Sequence, residues 1–148
     1  MKKATSLLLI LALVLASLSL GGCGKAEQGP DYAIDYGQSQ IFTRKELEKA
    51  VPLIQEVLDT WDGCRIHSLR YAGDEACTEE NLSWLNELAE AQGKEMEFTR
   101  CACFLCDFRS PADESKAGAW NPDYEYTDWS WWLGCTAKGE WALLTWGY

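Results

Sequence analysis

The chain reads as an α+β domain in which two helices, both in its N-terminal half, pack on a curved antiparallel sheet of about four strands. Three observations predict this. Leu47, Ala50, Val51, Ile54, Val57, Leu58 and Trp61 recur at helical spacing, and Leu82, Leu85, Leu88 and Ala89 do so again further on. From Glu95 to Phe108 the pattern alternates, with Met96, Phe98, Arg100, Ala102, Phe104, Cys106 and Phe108 in one phase. The aromatic-rich end, from Tyr124 to Tyr148, is broken at Lys138-Gly139 as a hairpin would be.

Each element carries its own punctuation. Residues 23–40 contain Gly24, Gly29, Pro30 and Gly37 and no apolar period, and read as a tether. Within it Tyr32, Ile34 and Tyr36 alternate, as a short docked strand would. Residues 41–148 are the domain. Thr43 and Glu46 form a capping box, and Phe42 and Leu47 a hydrophobic staple, so a helix starts there. Pro52 lies inside it and predicts a kink; Asp62-Gly63 predicts its end. Cys64 to Tyr71 predicts a strand whose two phases need a bulge near His67-Ser68. Ala72-Gly73-Asp74 turns the chain, Thr78 caps the second helix, and Gly93 stops it. Of the long strand's two faces, the one bearing Phe98, Phe104 and Phe108 is the expected core face. Ser110 to Pro122 predicts a loop; Tyr124 to Cys135 and Trp141 to Tyr148 predict the last two strands.

Upstream, residues 1–22 read as an export signal. Lys2 and Lys3 are followed by an apolar block from Ser6 to Leu20, and Leu20-Gly21-Gly22-Cys23 resembles a bacterial lipobox. The block has 15 residues, against the ~20 that a membrane-spanning helix needs. In this reading Cys23 is lipidated, and the chain is a lipoprotein held on the extracytoplasmic face of the cell membrane. A diacylglyceryl cysteine supplies at least two acyl chains, which anchor stably where one alone does not.

The net charge of −10 becomes −12 when Lys2 and Lys3 are removed. That balance argues against nucleic acid, whose phosphates require Lys and Arg, and favours neutral or cationic partners over anionic lipid. Besides Cys23 there are six cysteines: Cys64, Cys77, Cys101, Cys103, Cys106 and Cys135. In an exported protein six cysteines predict up to three disulfides with 15 connectivities, whereas an anaerobe leaves exported thiols reduced. On a regular strand Cys101 and Cys103 share a face and Cys106 points away, so no metal site is expected.

Gly63-Cys64, Leu69-Arg70-Tyr71, the run Tyr126-Thr127-Asp128-Trp129-Ser130-Trp131 and the closing Trp141…Thr145-Trp146-Gly147-Tyr148 together resemble an uncharacterised domain family of clostridial-type lipoproteins. That family looks like the cone-shaped domains named after nuclear transport factor 2. The resemblance spans about residues 41–148 and implies a cone, without implying an activity. The cysteines of Cys101-Ala102-Cys103-Phe104-Leu105-Cys106 depart from the usual aliphatic strand.

Catalytic patterns are few. His67 is the only histidine, and no nucleophile elbow or metalloprotease helix accompanies it. The acidic pairs Asp74/Glu75, Glu79/Glu80 and Asp113/Glu114 fall in turns or at helix starts and read as solvated surface. Asp128 sits within a strand, sharing a face with Tyr126 and followed by Trp129 on the other face; these three are the candidate ligand-binding residues. Eight tryptophans, five of them in the last hairpin, supply either core volume or a stacking surface. The sequence therefore predicts a binding module without cofactor, its ligand a small molecule, a wall glycan or a protein. A structural envelope protein lacking a pocket is the alternative, and an enzyme using Asp128 or His67 a third.

Overall fold

The structure, a computed structural model, describes residues 30–148. The expected lipobox and signal segment lie outside these residues. Five strands form one sheet in sequence order: β1 (Ala33–Asp35), β2 (Arg65–Tyr71), β3 (Phe98–Arg109), β4 (Glu125–Thr136) and β5 (Trp141–Gly147). The fold is α+β, but the sheet is mixed and has five strands rather than about four. The additional strand is β1, formed by the alternating piece of the tether and paired parallel to β2 with Ile34 opposite Leu69. Every other pairing is antiparallel.

Helix α1 (Arg44–Leu58) starts as its capping box dictates. The Thr43 hydroxyl accepts from the Glu46 amide, and the Thr43 amide donates to the Glu46 carboxylate at 2.8 Å. Glu46 also accepts from Arg100 of β3 at 2.9 Å, and Arg100 donates to the Ile41 carbonyl at 3.0 Å. The Thr43 amide first, then its hydroxyl and Arg100, hold the Glu46 pKa down at about 2. The helix runs through the exposed Pro52 and ends at Leu58, a turn before the predicted stop. Trp61 therefore lies beyond the helix, in the turn that leads to β2.

A single core was expected; the sheet instead buries both faces. Leu47, Ala50, Val51, Ile54 and Leu58 of α1 pack with Leu69, Ala102, Phe104, Cys106, Phe108, Trp131 and Leu133. Helix α2 (Glu79–Ala91), capped by Thr78, places Leu85 and Ala89 against Cys101, Ala142 and Leu144 on the opposite face. Fully burying each large aliphatic side chain contributes ~1.5–3 kcal/mol. The expected β3 face is buried, yet Cys101 and Cys103 behind it are buried too.

Bulges decide which side chain goes where. The pairing slips between Ile66 and Ser68, where the sequence demanded it. It slips again between Phe98 and Arg100, leaving Thr99 unpaired. That extra residue turns Phe98 away from Ala102 and Phe104 and into the core beneath α2. There its ring lies directly over Gly134, where a Cβ would stand 2.3 Å from Phe98 Cγ. Only glycine fits at that point of β4. The expected loop after β3 contains one short helix, α3 (Glu114–Ala117), capped by Asp113.

Candidate functional site

A third bulge builds the site. Phe108 opposes Tyr126 and Cys106 opposes Trp129, so Thr127 and Asp128 together face Asp107. Asp128 takes a left-handed conformation with φ 58°. The expectation that Asp128 shares a face with Tyr126 is thereby corrected. The extra residue puts Tyr126 and Trp129 together on the α1 face and leaves Asp128 with the polar groups of the other.

On that second face Asp128 belongs to a closed polar network. Its amide donates to Asp107 Oδ1 at 2.8 Å, Ser68 donates to Asp107 Oδ2 at 3.1 Å, and the Arg70 guanidinium bonds the Asp128 carboxylate. Arg70 also stands 3.6 Å from Asp107. Burial opposes ionisation of Asp107, but the Asp128 amide, Ser68 and Arg70 outweigh it and hold its pKa below the usual carboxylate range. Desolvation likewise opposes the charge on Arg70, and Asp128 and Asp107 overcome it. One guanidinium thus serves two carboxylates, and the Asp128 side chain is 62% exposed. The network fixes the bulge; a general acid or base would need a carboxyl pushed toward neutral pH instead. Beside it, His67 Nε2 pairs with Glu125 Oε1 at 3.1 Å, and Arg109 bonds Asp123 at 2.8 Å. Both contacts lie at the surface, and the Arg109–Asp123 contact is an ion pair.

The α1 face beyond the end of α1 holds an aromatic nest. Trp61 sits 4.9 Å from Phe108, 5.0 Å from Trp120 and 5.3 Å from Trp131, between ring centroids. Tyr126 stacks on Phe108 at 4.9 Å with the rings 10° apart, and its hydroxyl accepts from the Asn121 amide at 3.0 Å. Tyr126 is thus a core residue. Trp129 is half-buried, 5.0 Å from both Trp120 and Tyr148. Among the described residues the indole N–H of Trp129 has no partner.

The nest has a wet edge, of which sequence reasoning offered Trp146 as part of a stacking surface and missed Tyr124 and Tyr148. Tyr148 is 82% exposed, Tyr124 52% and Trp146 43%. Tyr124 packs on Tyr126 at 5.0 Å, Tyr148 on Trp129, and Trp146 stacks on the buried Trp131 at 5.5 Å. Strand alternation gives each ring's face but not its exposure. Trp146 lies on β5 at the edge of the sheet, Tyr148 follows that strand and Tyr124 precedes β4.

A concavity of about 1000 Å³ lies elsewhere, between the end of α1 and β2. It is an open cleft, and Asp31, Asp59 and Arg65 in its wall would have to shed water to hold an apolar ligand. The six cysteines are free thiols. Burial pushes Cys103 up to about 11 and Cys106 up to about 12, so both are neutral and inert at pH 7. Among the described residues no group of three or more His, Cys, Asp or Glu side chains is placed to hold a metal ion. Comparison with protein-family models, curated proteins and solved structures finds no match for this chain.

Proposed function

We propose that the chain is a lipid-anchored extracytoplasmic binding protein, held on the membrane through Cys23, whose aromatic edge takes a neutral glycan of the cell wall. One observation carries the binding part: Tyr124, Trp146 and Tyr148 present exposed rings on a nest whose inner rings are already packed. The inner rings hold the outer ones in place, which lowers the entropy lost on binding. Sugar rings offer C–H faces that stack on Trp and Tyr. The net charge of −10 disfavours anionic ligands and leaves neutral ones unopposed. Of the three residues proposed from sequence, Tyr126 and Trp129 support this edge from behind, and Asp128 stands on the other face.

The lipobox at Leu20–Cys23 supports the anchor. The cone named after nuclear transport factor 2 is a finer reading of the same fold. Register shifts in β2, β3 and β4 support a curved sheet. Helix α2 on the second face is a departure from a cone with both helices on one side. A purely structural role is favoured by one feature, the filling of the nest by its own rings.

The test combines fractionation with co-sedimentation. Wild-type chain should partition with membranes, and Cys23→Ala should be released into the soluble extracytoplasmic fraction. Purified chain should sediment with insoluble wall glycan, and Trp146→Ala with Tyr148→Ala should weaken this about tenfold or more. Wild-type protein that ignores the glycan would leave the structural role standing. A Cys23→Ala variant that stays in the membrane would remove the anchor.

A further inference from the structure

We infer that Cys77 and Cys101 are an oxidisable pair that closes into a disulfide, pinning the segment leading into α2 to the centre of the sheet. Cys77 follows the 3₁₀ turn Asp74–Ala76, one residue before the cap of α2, and is half-buried. Cys101 lies in β3 on the face that α2 covers and is fully buried. The Cys101 amide donates to Cys77 Sγ at 3.2 Å, and Cys101 Sγ is directed at the Ala76 carbonyl, 3.8 Å away. Each sulfur therefore lies against the other residue's stretch of backbone.

The remaining buried thiols point differently. Cys103, Cys106 and Cys135 each donate along their own strand, to the carbonyls of Phe104, Asp107 and Thr136. Burial first, and then the neighbouring Cys77, push the Cys101 thiol up to about 12, so Cys101 is not the attacking group. Exchange then starts at Cys77, the more accessible of the two.

The oxidant is a disulfide, from a small molecule or a protein. The Cys77 thiolate attacks one of its sulfurs, its S–S bond breaks, and the released thiolate takes up the proton that Cys77 lost. The Cys101 sulfur, giving its proton to solvent, then attacks Cys77 Sγ and expels the second thiolate, which is protonated in turn. Two electrons and two protons pass from the pair to the oxidant. The closed loop runs from residue 77 to residue 101 and contains all of α2, so it restricts the unfolded chain. Nothing here depends on glycan binding.

The experiment uses the full chain, reduced and then equilibrated with glutathione and glutathione disulfide at a series of ratios. Samples are quenched in acid, denatured, alkylated and mapped by peptide mass. As the ratio becomes oxidising, a cross-linked peptide joining Cys77 to Cys101 should appear, two hydrogens lighter than its parts. Reduction should reverse it, and the oxidised form should melt higher by roughly 10 °C. In Cys77→Ser, Cys101 should stay alkylatable at every ratio, with no change in melting. The inference is overturned if Cys77 takes up glutathione while Cys101 stays alkylatable, or if Cys101 is found linked to another cysteine.

Discussion

Replacing Glu46 by glutamine should loosen α1 from the sheet in a pH-dependent way. Glu46 accepts from the Thr43 amide at 2.8 Å, the Thr43 hydroxyl at 2.9 Å and Arg100 at 2.9 Å. Arg100 in turn holds the Ile41 carbonyl and stacks over Phe42, 4.7 Å from the ring centroid. One carboxylate thus ties the start of α1 to the middle of β3. Glutamine keeps the shape and loses the charge, and charge-assisted bonds are about twice as strong as neutral ones. Loss of a cap interaction costs ~1 kcal/mol. The Glu46 side chain is 28% exposed, so solvent screens part of the Arg100 attraction. The expected loss is ~1–2 kcal/mol at pH 7, a fall of roughly 5–10 °C in Tm for a domain of this size. Glu46 titrates at about 2 in the fold against an ordinary 4.5. Its contribution is therefore complete above 4.5 and fades as the pH falls toward 2. Urea melts of wild type and Glu46→Gln at pH 7 and at pH 3 measure both effects. A variant as stable as wild type at pH 7, or a gap that widens on acidification, would refute this account of the capping box.

Substitutions at Gly134, Phe98 and Asp128 test the bulges. Gly134→Ala should cost ~1–3 kcal/mol, because its methyl group would strike the Phe98 ring. Adding Phe98→Leu should give a double variant better than the sum of the two losses, measured by chemical denaturation. Asp128→Val should cost ~1–2 kcal/mol, since a β-branched residue resists φ 58°. Asp128→Asn should stay within ~0.5 kcal/mol of wild type, because asparagine tolerates that conformation and the lost ion pair is exposed.

Local chemistry was the part of the fold written plainly in the sequence. The Thr43–Glu46 box, the Thr78 cap, the bulge at His67 and the hairpin at Lys138-Gly139 each depend on residues close together in the chain, and each forms. The apolar spacing also gave the order of helices and long strands. Which side of the sheet each helix takes depends on contacts between distant residues, and period alone carries no such information. The alternation of Tyr32, Ile34 and Tyr36 pointed to the short strand β1, but its parallel pairing with β2 rests on such distant contacts. Bulges at Thr99 and at Thr127-Asp128 shift the alternation by one place, and no sequence signal near them foretold it. That one-residue shift explains why Phe98 changes core and why Asp128 leaves Tyr126 and Trp129. The exposure of Tyr124, Trp146 and Tyr148 depends on their place at the sheet edge and strand ends, which alternation does not encode, and α1 was read one turn too long.

The most direct measurement is the indole N–H spectrum of ¹⁵N-labelled chain titrated with a soluble, uncharged wall-glycan oligosaccharide. The account predicts that the signals of Trp146 and of Trp129, which packs on Tyr148, move, while those of Trp84 and Trp132 on the other face stay still. Spectra unchanged at millimolar oligosaccharide, or shifts confined to Trp84 and Trp132, would contradict binding at the aromatic edge.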